Sequence, residues 1–385
     1  MHKDEHSEWT VRTALGKAVD TLRRSKSSAM SDDMRSSKDA LVDKSAPQNP
    51  KDACLGKSTP QDSKDVLVGK STPQGFAPSN SSSCTAINSE IDIAASEATT
   101  LLAALLGVEK TQLSVMQEEP LSLEVKTSFE QGIERRALGE PLQYIVGEAP
   151  FRHLMLKATP AALIPRPETE MLVEVGLARL LDERPASTTS QEAASLQETL
   201  RIADVGTGTG NIALSLLQEL SKKSQCATVY ASDISPQALS LAEENAKIVQ
   251  DNQRFFLLKS DLLADYPKEL QGSFDAIFSN PPYLSDEIME TMLPAEVRDY
   301  EPDLALAGGA DGLDVFRRLQ VQAPKWLKKG GWLFVELGDE NVEIAAEYLE
   351  NSGYWKKVRV TRDLTDRPRI LSAQCAFANS GCPLQ

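Results

Sequence analysis

Hydrophobic and polar positions are arranged in three different ways along the chain. In residues 8–24, Val11, Leu15, Ala18 and Leu22 recur at helical spacing, which predicts an amphipathic helix. The same periodicity predicts helices at 91–106, about 109–117 and 121–138, the last of them ended by Gly139 and Pro141. Together these segments predict a small helical bundle.

The second pattern, from about residue 25 to residue 89, is polar and has no period. It contains an imperfect repeat, LGKSTPQD at 55–62 and VGKSTPQG at 68–75. A phosphate-binding loop would need a glycine where the sequence has Lys51 and Lys64, so the repeat does not match one. Such a segment buries too little apolar surface to offset its ordering entropy, and we predict a disordered insertion.

The third pattern, from about residue 160, alternates strands with helices. We predict a helix at 168–181 and a polar linker at 182–198. Further predicted strands are 200–205, 228–232, 255–259, 274–279, 331–337, 355–362 and 369–377, and further predicted helices are 210–221, 235–249, 312–328 and 340–352. This alternation predicts an α/β fold with a doubly wound, mostly parallel sheet. No helix separates the last two strands, so they should pair as an antiparallel edge hairpin.

Charge and composition narrow the class of protein. No apolar run is long enough to span a membrane. The five cysteines are scattered and odd in number, which favours a reducing intracellular compartment over a disulfide framework. Residues 1–89 carry a net charge of +2 and the remainder −17, which argues against nucleic acid as the direct substrate. His2 and His6 lack a third ligand, so we predict no metal site.

Candidate ligand-binding residues follow the first three strands of the sheet. The first strand ends in IADVGTGTG (202–210), where glycines make a tight turn into a helix, at the edge where open parallel sheets bind ligands. The spacing G-x-G-x-G, preceded by Asp204, suits a cationic amino-acid portion better than a pyrophosphate. Asp233 after the second strand can accept two ribose hydroxyls, and Asp261 after the third is placed for an adenine edge.

The fourth strand runs into Asn280-Pro281-Pro282-Tyr283. The prolines fix the backbone and remove two N–H donors, which leaves carbonyls free to accept, and Asn280 adds a side-chain carbonyl. Two neighbouring acceptors suit an –NH2 group, and Tyr283 can stack on the planar group that carries it. This motif predicts binding of a planar amide or amine nitrogen.

These residues resemble those of the class I S-adenosylmethionine-dependent methyltransferases, and among them the protein-(glutamine-N5) methyltransferases that modify peptide-chain release factors. The resemblance covers about 90–377. Besides DVGTGTG (204–210) and NPPY (280–283) it rests on RRALGEPLQYIVGEAPF (135–151), LIPRPETEMLVE (163–174), EVRDYEPDLALAGGADGLDVFRRL (296–319), FVELGDE (334–340) and DLTDRPRI (363–370).

The resemblance implies a Rossmann-like class I methyltransferase sheet behind an N-terminal helical bundle. We expect a helical substrate-recognition domain at 1–157, a methyltransferase domain at 158–377 and a tail at 378–385. The implied reaction is N5-methylation of the glutamine in the Gly-Gly-Gln motif of a class I release factor. The protein should act as a monomer, without membrane or direct nucleic acid, in the cytoplasm or an organelle matrix, although no convincing presequence is present.

The predicted site has two parts. Cofactor binding is assigned to Asp204, Gly206, Thr207, Gly208, Thr209, Gly210, Asp233, Asp261, Leu262 and Asn280. Acceptor binding is assigned to Asn280, Pro281, Pro282 and Tyr283, with Asn280, Pro281 and Tyr283 as the catalytic set. The segments 165–170 and 296–312 are expected to wall the acceptor pocket.

Two other functions fit part of this pattern. An N6-adenine methyltransferase on DNA or RNA could use the same acceptors for an extruded adenine amine. The acidic balance and the lack of a basic segment with interleaved aromatic residues weigh against it. A non-catalytic interaction protein with a degenerate sheet is disfavoured by the intact Asp204, Gly206, Asp233, Asn280 and Tyr283.

Overall fold

The structure, a computed structural model, describes residues 9–42, 82–182 and 199–377. Four parts of the predictions lie outside these residues: 43–81 of the insertion predicted at about 25–89, 183–198 of the predicted linker, the tail at 378–385, and the pair His2 and His6. No helix within the described ranges is long and apolar enough to cross a membrane. The chain divides into two compact units, Met1–Leu138 and Gly139–Gln385.

The first unit is helical. Its helices are α1 (Val11–Val42), α2 (Ser82–Leu106) and α3 (Leu123–Ala137). Helix α1 buries Val11, Ala14, Ala18 and Leu22, so Ala14 takes the place expected for Leu15 on the buried face. The helix predicted at about 109–117 is instead a single 3-10 segment, Lys110–Ser114. Its only buried residue is Leu113, so it has no repeating apolar face to bury.

Helix α1 extends well beyond the predicted end at residue 24, and α2 begins before residue 91. The extension, residues 25–42, reads SKSSAMSDDMRSSKDALV, which has no apolar stripe and therefore gives no periodic signal. It also contains no glycine or proline, and the first proline after Gly16 is Pro47. A polar segment without these residues can continue a helix that is already nucleated.

The second unit is built on a seven-stranded sheet and one small hairpin. The hairpin pairs β1 (Glu148–Phe151) with β2 (Leu154–Lys157). The sheet strands are β3 (Leu200–Val205), β4 (Ala227–Asp233), β5 (Phe255–Lys259), β6 (Phe274–Ser279), β7 (Leu327–Glu336), β8 (Trp355–Arg362) and β9 (Pro368–Cys375). Their order is β5-β4-β3-β6-β7-β9-β8. Strand β9 pairs antiparallel with both β7 and β8, and the other pairs are parallel. The predicted fold class is confirmed, with β9 inside the sheet and β8 at its edge.

Helices cover this sheet. They are α4 (Leu142–Val146), α5 (Pro167–Asp182), α6 (Asn211–Lys222), α7 (Pro236–Ala246), α8 (Asp286–Thr291), α9 (Ala295–Arg298), α10 (Asp314–Trp326) and α11 (Val342–Ser352). Helix α5 approaches the sheet closely because residue 176 is glycine. A β-carbon there would lie 2.2 Å from the Phe278 ring of β6. This contact places the first turn of α5 beside the carboxyl end of β6.

The division between the units falls at residues 138 and 139, whereas the sequence analysis put the boundary at 157. The reason lies in the hairpin, whose Phe151, Leu154 and Leu156 are buried in the same apolar cluster as the sheet. The Lys157 backbone N–H also donates to Asn245 Oδ1 of α7 at 2.7 Å. The hairpin therefore packs as part of the sheet unit.

Candidate active site

The carboxyl ends of the central strands border a cavity of about 230 Å³. Most of the predicted cofactor residues line it: Gly206, Thr207, Gly208, Thr209, Asp233, Asp261, Leu262 and Asn280. Pro282 lines it as well. Asp204, Gly210, Pro281 and Tyr283 were predicted as site residues but do not line this cavity. The sheet thus brings residues from β3, β4, β5 and β6 to one place, as its parallel order requires.

The glycine turn after β3 exposes backbone to this cavity. Gly206 has φ 76°, and a β-carbon there would meet no atom within 4 Å, so a side chain would project into open space. At Gly210, φ 83°, a β-carbon would lie 3.1 Å from Leu214 Cδ1, and here the glycine permits close packing on α6. The Gly206 and Thr207 N–H groups both donate to the Ser232 carbonyl, at 2.9 and 2.8 Å, which fixes the turn to β4.

Asp204 lies beneath the turn and is fully buried. Its Oδ2 accepts from Thr207 Oγ1 at 2.6 Å and from the Ala213 N–H at 3.2 Å. Its Oδ1 has no hydrogen-bond partner. Burial raises the pKa of Asp204 to about 7, against the effect of these two bonds. Asp204 therefore braces the turn with one oxygen and keeps the other available.

Asp233 joins two loops at the cavity. Its carboxylate accepts from the Gly208 N–H and from the Ser235 N–H, each at 2.9 Å. Burial raises its pKa, and the two backbone bonds oppose that rise. Each carboxylate oxygen has a further lone pair, so Asp233 can hold both loops and still accept hydroxyl groups.

Asp261 and Leu262 lie on the other side of the cavity. The Asp261 carboxylate is 2.5 Å from Arg318 Nη2 of α10, and both side chains are about half exposed. Leu262 has φ 55°, in the left-handed region that residues other than glycine seldom adopt. The carboxylate predicted to meet an adenine edge is thus already paired with a cation on one oxygen.

Asn280 follows β6 and is oriented by α5. Its Nδ2 donates to Thr169 Oγ1 at 3.1 Å, so its carboxamide oxygen points away from Thr169. The preceding Ser279 hydroxyl donates to the Val205 carbonyl at 2.7 Å and ties the end of β6 to β3. The arrangement presents the Asn280 carboxamide oxygen as an acceptor, with one of the two Asn280 N–H donors already bonded to Thr169.

Tyr283 packs against the sheet core and the 307–312 loop. Its carbonyl accepts from Asn341 Nδ2 at 3.1 Å, and a β-carbon at Gly312 would lie 2.3 Å from that carbonyl oxygen. Burial raises the pKa of Tyr283 to about 12, which keeps the phenol neutral. The ring lies beside Gly338 rather than in the cavity wall.

The two segments expected to wall the acceptor pocket are joined by an ion pair. Arg166 Nη2 lies 2.5 Å from Glu301 Oε1, and the other Glu301 oxygen accepts from the Ile164 N–H at 3.3 Å. The Glu301 side chain is almost fully buried. Residues of both segments line the cavity: Pro165, Arg166, Thr169, Pro302, Leu304, Ala305 and Ala307.

Two polar residues near Asn280 had no individual role in the sequence analysis, although Thr169 lies in the segment 165–170 that was expected to wall the acceptor pocket. Thr169 is 1% exposed and accepts from Asn280, although in the sequence it is one polar position of a helix start. Glu336 ends β7, is 1% exposed, and has no hydrogen-bond partner on either oxygen. An acidic residue that closes a buried apolar strand is the signal that could have identified Glu336.

Comparison with known proteins gives two family matches and several relatives. A model described as the PrmC N-terminal domain matches residues 85–147, and one described as the Methyltransferase small domain matches residues 188–297. Three proteins named release factor glutamine methyltransferase are similar over most of their length. The one from Moorella thermoacetica is 40% identical, covering 72% of this chain and 90% of the relative. Those from Cereibacter sphaeroides and Deinococcus radiodurans are 37% and 38% identical, covering 75% and 73% of this chain and 94% and 91% of the relatives.

Proposed function

Since the chain belongs to the family of release factor glutamine methyltransferases, we propose that it methylates a glutamine side-chain nitrogen of a peptide-chain release factor. The observation that carries this proposal is the orientation of Asn280. Its N–H2 group is held by Thr169, so its oxygen is set to accept an N–H of the acceptor amide.

The residues present fit the family's cofactor, S-adenosylmethionine. The open side of Gly206 leaves room for a ligand against the backbone, and the free lone pairs of Asp233 suit two ribose hydroxyls. Asp204 has an unpartnered buried oxygen beneath the same turn, which favours a positive charge above it. When bound, S-adenosylmethionine supplies an electrophilic methyl group on a sulfonium.

The chain's contribution to the reaction is orientation of a poor nucleophile. An amide nitrogen has its lone pair delocalised into the carbonyl. We propose that Asn280 Oδ1 and the Pro281 carbonyl each accept one N–H of the acceptor amide, which fixes the face of the nitrogen. These acceptors also stabilise the positive charge that develops on nitrogen. Positioning of this kind supplies on the order of 7–11 kcal/mol.

No general base is assigned to the reaction. Once methylated, the nitrogen is acidic enough to lose its extra proton to water. Tyr283 is neutral and packs beside Gly338 outside the cavity wall, so its role in the proposal is to support the motif. The Arg166–Glu301 pair holds the remaining wall in place.

The function is tested by transfer of a labelled methyl group. The protein is incubated with labelled S-adenosylmethionine and, separately, with a release factor, with the same factor carrying Asn in place of the Gln of Gly-Gly-Gln, and with DNA and RNA. We expect label only in the unmodified release factor. Label in nucleic acid would replace the proposal with the N6-adenine alternative, and label in neither would contradict both.

The cofactor assignment is tested at Asp233. Asp233→Ala removes a charged acceptor of two hydroxyl bonds worth roughly 1.5–3 kcal/mol each, so we expect at least a tenfold weaker cofactor affinity by calorimetry. The change also releases the Gly208 and Ser235 N–H groups, and Asp233→Asn, which keeps one acceptor oxygen, is the control. Equal affinities in all three proteins would refute the assignment.

We further propose that the chain acts as a monomer in a compartment where translation terminates, since its acceptor works there. Sedimentation at assay concentration tests the first point. Tagged protein located by fractionation alongside release factors tests the second.

A further inference from the structure

Glu336 occupies the strand position next to Asn280. In the parallel pairing of β6 with β7, Ser279 faces Val335, so Asn280 and Glu336 are the next residues of the two strands. Glu336 is 1% exposed, and neither carboxylate oxygen has a hydrogen-bond partner. A buried carboxylate without partners is costly, and it is not explained by the packing of the sheet.

The cations nearest to Glu336 are committed elsewhere. The charged and titratable groups that face it are Arg166 and Glu168 at the start of α5, Tyr283 after β6, and Arg369 of β9. Arg166 binds Glu301, and Arg369 Nε donates to Asp363 at 3.3 Å. Burial raises the pKa of Glu336 to about 7, while the hydroxyl of Thr169 and the charge of Arg369 oppose that rise.

Thr169 connects Glu336 to Asn280. Its Oγ1 accepts the Asn280 Nδ2 hydrogen, so its own hydroxyl hydrogen needs another acceptor. Thr169 is 1% exposed and cannot give this hydrogen to solvent. The Glu336 carboxylate is the neighbouring acceptor. It makes no hydrogen bond of full geometry, but hydrogen bonding by the Thr169 hydroxyl lowers its pKa against the effect of burial.

We propose that Glu336 is a positioning residue that sets the orientation of the Asn280 carboxamide through Thr169; this rests on the proposed function. A carboxylate at Glu336 can only accept, so the Thr169 hydrogen points to it. Thr169 can then only accept from Asn280, and Asn280 must turn its N–H2 group inward and its oxygen toward the acceptor amide. A protonated Glu336 can donate to Thr169 instead, which frees the Thr169 hydrogen for a flipped Asn280.

The first test is the pH dependence of turnover at saturating cofactor. In the natural protein, turnover should rise with pH through about 7 as Glu336 ionises. Glu336→Gln should lower turnover above pH 7.5 by roughly tenfold and remove this rise, with cofactor affinity changed less than twofold. Glu219→Gln, at another buried carboxylate of the unit, is the matched control and should keep the natural profile. A natural profile in Glu336→Gln would overturn the proposal.

The second test asks whether Glu336 acts through Thr169. Thr169→Val keeps the shape without the hydroxyl and should lower turnover by roughly 10- to 100-fold, while Thr169→Ser should restore most of it. Adding Glu336→Gln to Thr169→Val should cost nothing more, because the connection is already broken. Losses that multiply in the double variant would show that Glu336 acts independently, contrary to the proposal.

A spectroscopic test does not depend on the acceptor. The Asn280 side-chain N–H2 resonance, assigned by its absence in Asn280→Ala, should shift with pH with a midpoint near 7, and the shift should vanish in Glu336→Gln and Thr169→Val. This titration without methylation of a release factor would refute the proposed function and leave the positioning role standing. Methylation without the titration would overturn the positioning role alone.

Discussion

Two buried glutamates in the sheet unit have opposite environments. Glu219 of α6 is 7% exposed, and the Arg152 guanidinium binds both of its oxygens, with Nη2 2.8 Å from Oε2. Burial alone would raise the pKa of Glu219, but the hydrogen bonds and charge of Arg152 lower it overall. Glu336 is 1% exposed with no partner, and burial raises its pKa to about 7.

The comparison distinguishes a carboxylate that stabilises the fold, Glu219, from one whose burial lowers the stability of the fold, Glu336. Arg152 lies in the turn between β1 and β2 and also contacts Glu170 and Glu174 of α5, so its bond to Glu219 joins the hairpin to two helices. Glu336 is paired with no cation in this way, and the neighbouring Thr169 hydroxyl only partly opposes the rise in its pKa. Residues that reduce stability in this way concentrate at functional sites, where the group is needed for another reason.

The largest expected effect comes from breaking the structural pair. Arg152→Met keeps much of the side-chain volume but leaves Glu219 buried and unpaired, which should reduce the free energy of unfolding by roughly 3–5 kcal/mol. Urea denaturation at pH 8 measures it. Arg298→Met, in an exposed pair with Asp299, is the control and should change stability by less than about 1 kcal/mol. A similar loss of unfolding free energy in Arg152→Met and Arg298→Met would mean that the buried pair with Glu219 stabilises the fold no more than an exposed pair does.

The next effect is on catalysis at Asn280. Asn280→Ala removes one aligned acceptor and should lower turnover by roughly 10²–10³, with cofactor affinity within a few-fold. Asn280→Asp should fail nearly as badly, because it has no N–H to give to Thr169 and adds a second carboxylate near Glu336. Single-turnover rates and cofactor calorimetry separate the two effects. Near-normal turnover in the alanine variant would exclude Asn280 from the mechanism.

Removing the charge of Glu336 should stabilise the protein. The pKa of Glu336 is raised from 4.5 to about 7 on folding, so this group lowers stability as pH rises through that interval and keeps the full penalty above it. Glu336→Gln should therefore gain at most about 3 kcal/mol at pH 8 and almost nothing at pH 4.

Glu219→Gln is again the matched control and should have the opposite sign. Its pKa is lowered on folding, so its contribution is present at neutral pH and lost in acid. Unfolding curves at pH 4, 6 and 8 distinguish the two glutamates. A destabilised Glu336→Gln at pH 8 would mean that its carboxylate has a structural partner.

The smallest effect is expected at the half-exposed pair of Asp261 and Arg318. Exposed pairs contribute roughly 0.2–1 kcal/mol, so Asp261→Asn and Arg318→Ala should both leave the unfolding free energy nearly unchanged. If Asp261 also contacts the adenine edge, only the first variant should weaken cofactor binding, by a few-fold. Equal cofactor affinity in the two variants would mean that Asp261 does not contact the cofactor and serves only as the partner of Arg318.

The sequence predicted the sheet closely because its strands carry either apolar runs, as in β5, or alternating apolar positions, as in β8. The strands at 200–205, 255–259, 274–279 and 355–362 have the predicted bounds. The hairpin at 148–157 was missed because its strands have only four residues, too short for a periodic signal. The polar continuation of α1 was missed for the related reason that it has no apolar stripe.

Site residues were predicted successfully where the residue directly follows a predicted strand, because the parallel order of the sheet then fixes its position. Gly206, Asp233 and Asn280 each follow a strand and meet at the cavity. The bond between Thr169 and Asn280 spans 111 positions, and its existence depends on how closely α5 packs at Gly176. A single sequence contains no information on such a distance. The position of Tyr283 outside the cavity wall depends likewise on loop packing that local patterns do not encode.

The place of β9 inside the sheet means that the order of synthesis differs from the order of strands in space. Strand β7 leaves the ribosome before β8, and β8 before β9, yet β9 lies between them. The thirteen residues from Asp363 to Cys375 take roughly 0.7–2.6 seconds to synthesise, and over that time β8 lacks the only strand it pairs with among the described residues. Glu336 pairs with Ile370 of β9, so its surroundings in the sheet are incomplete until this late strand docks. The burial that raises the pKa of Glu336 is therefore completed only when β9 docks.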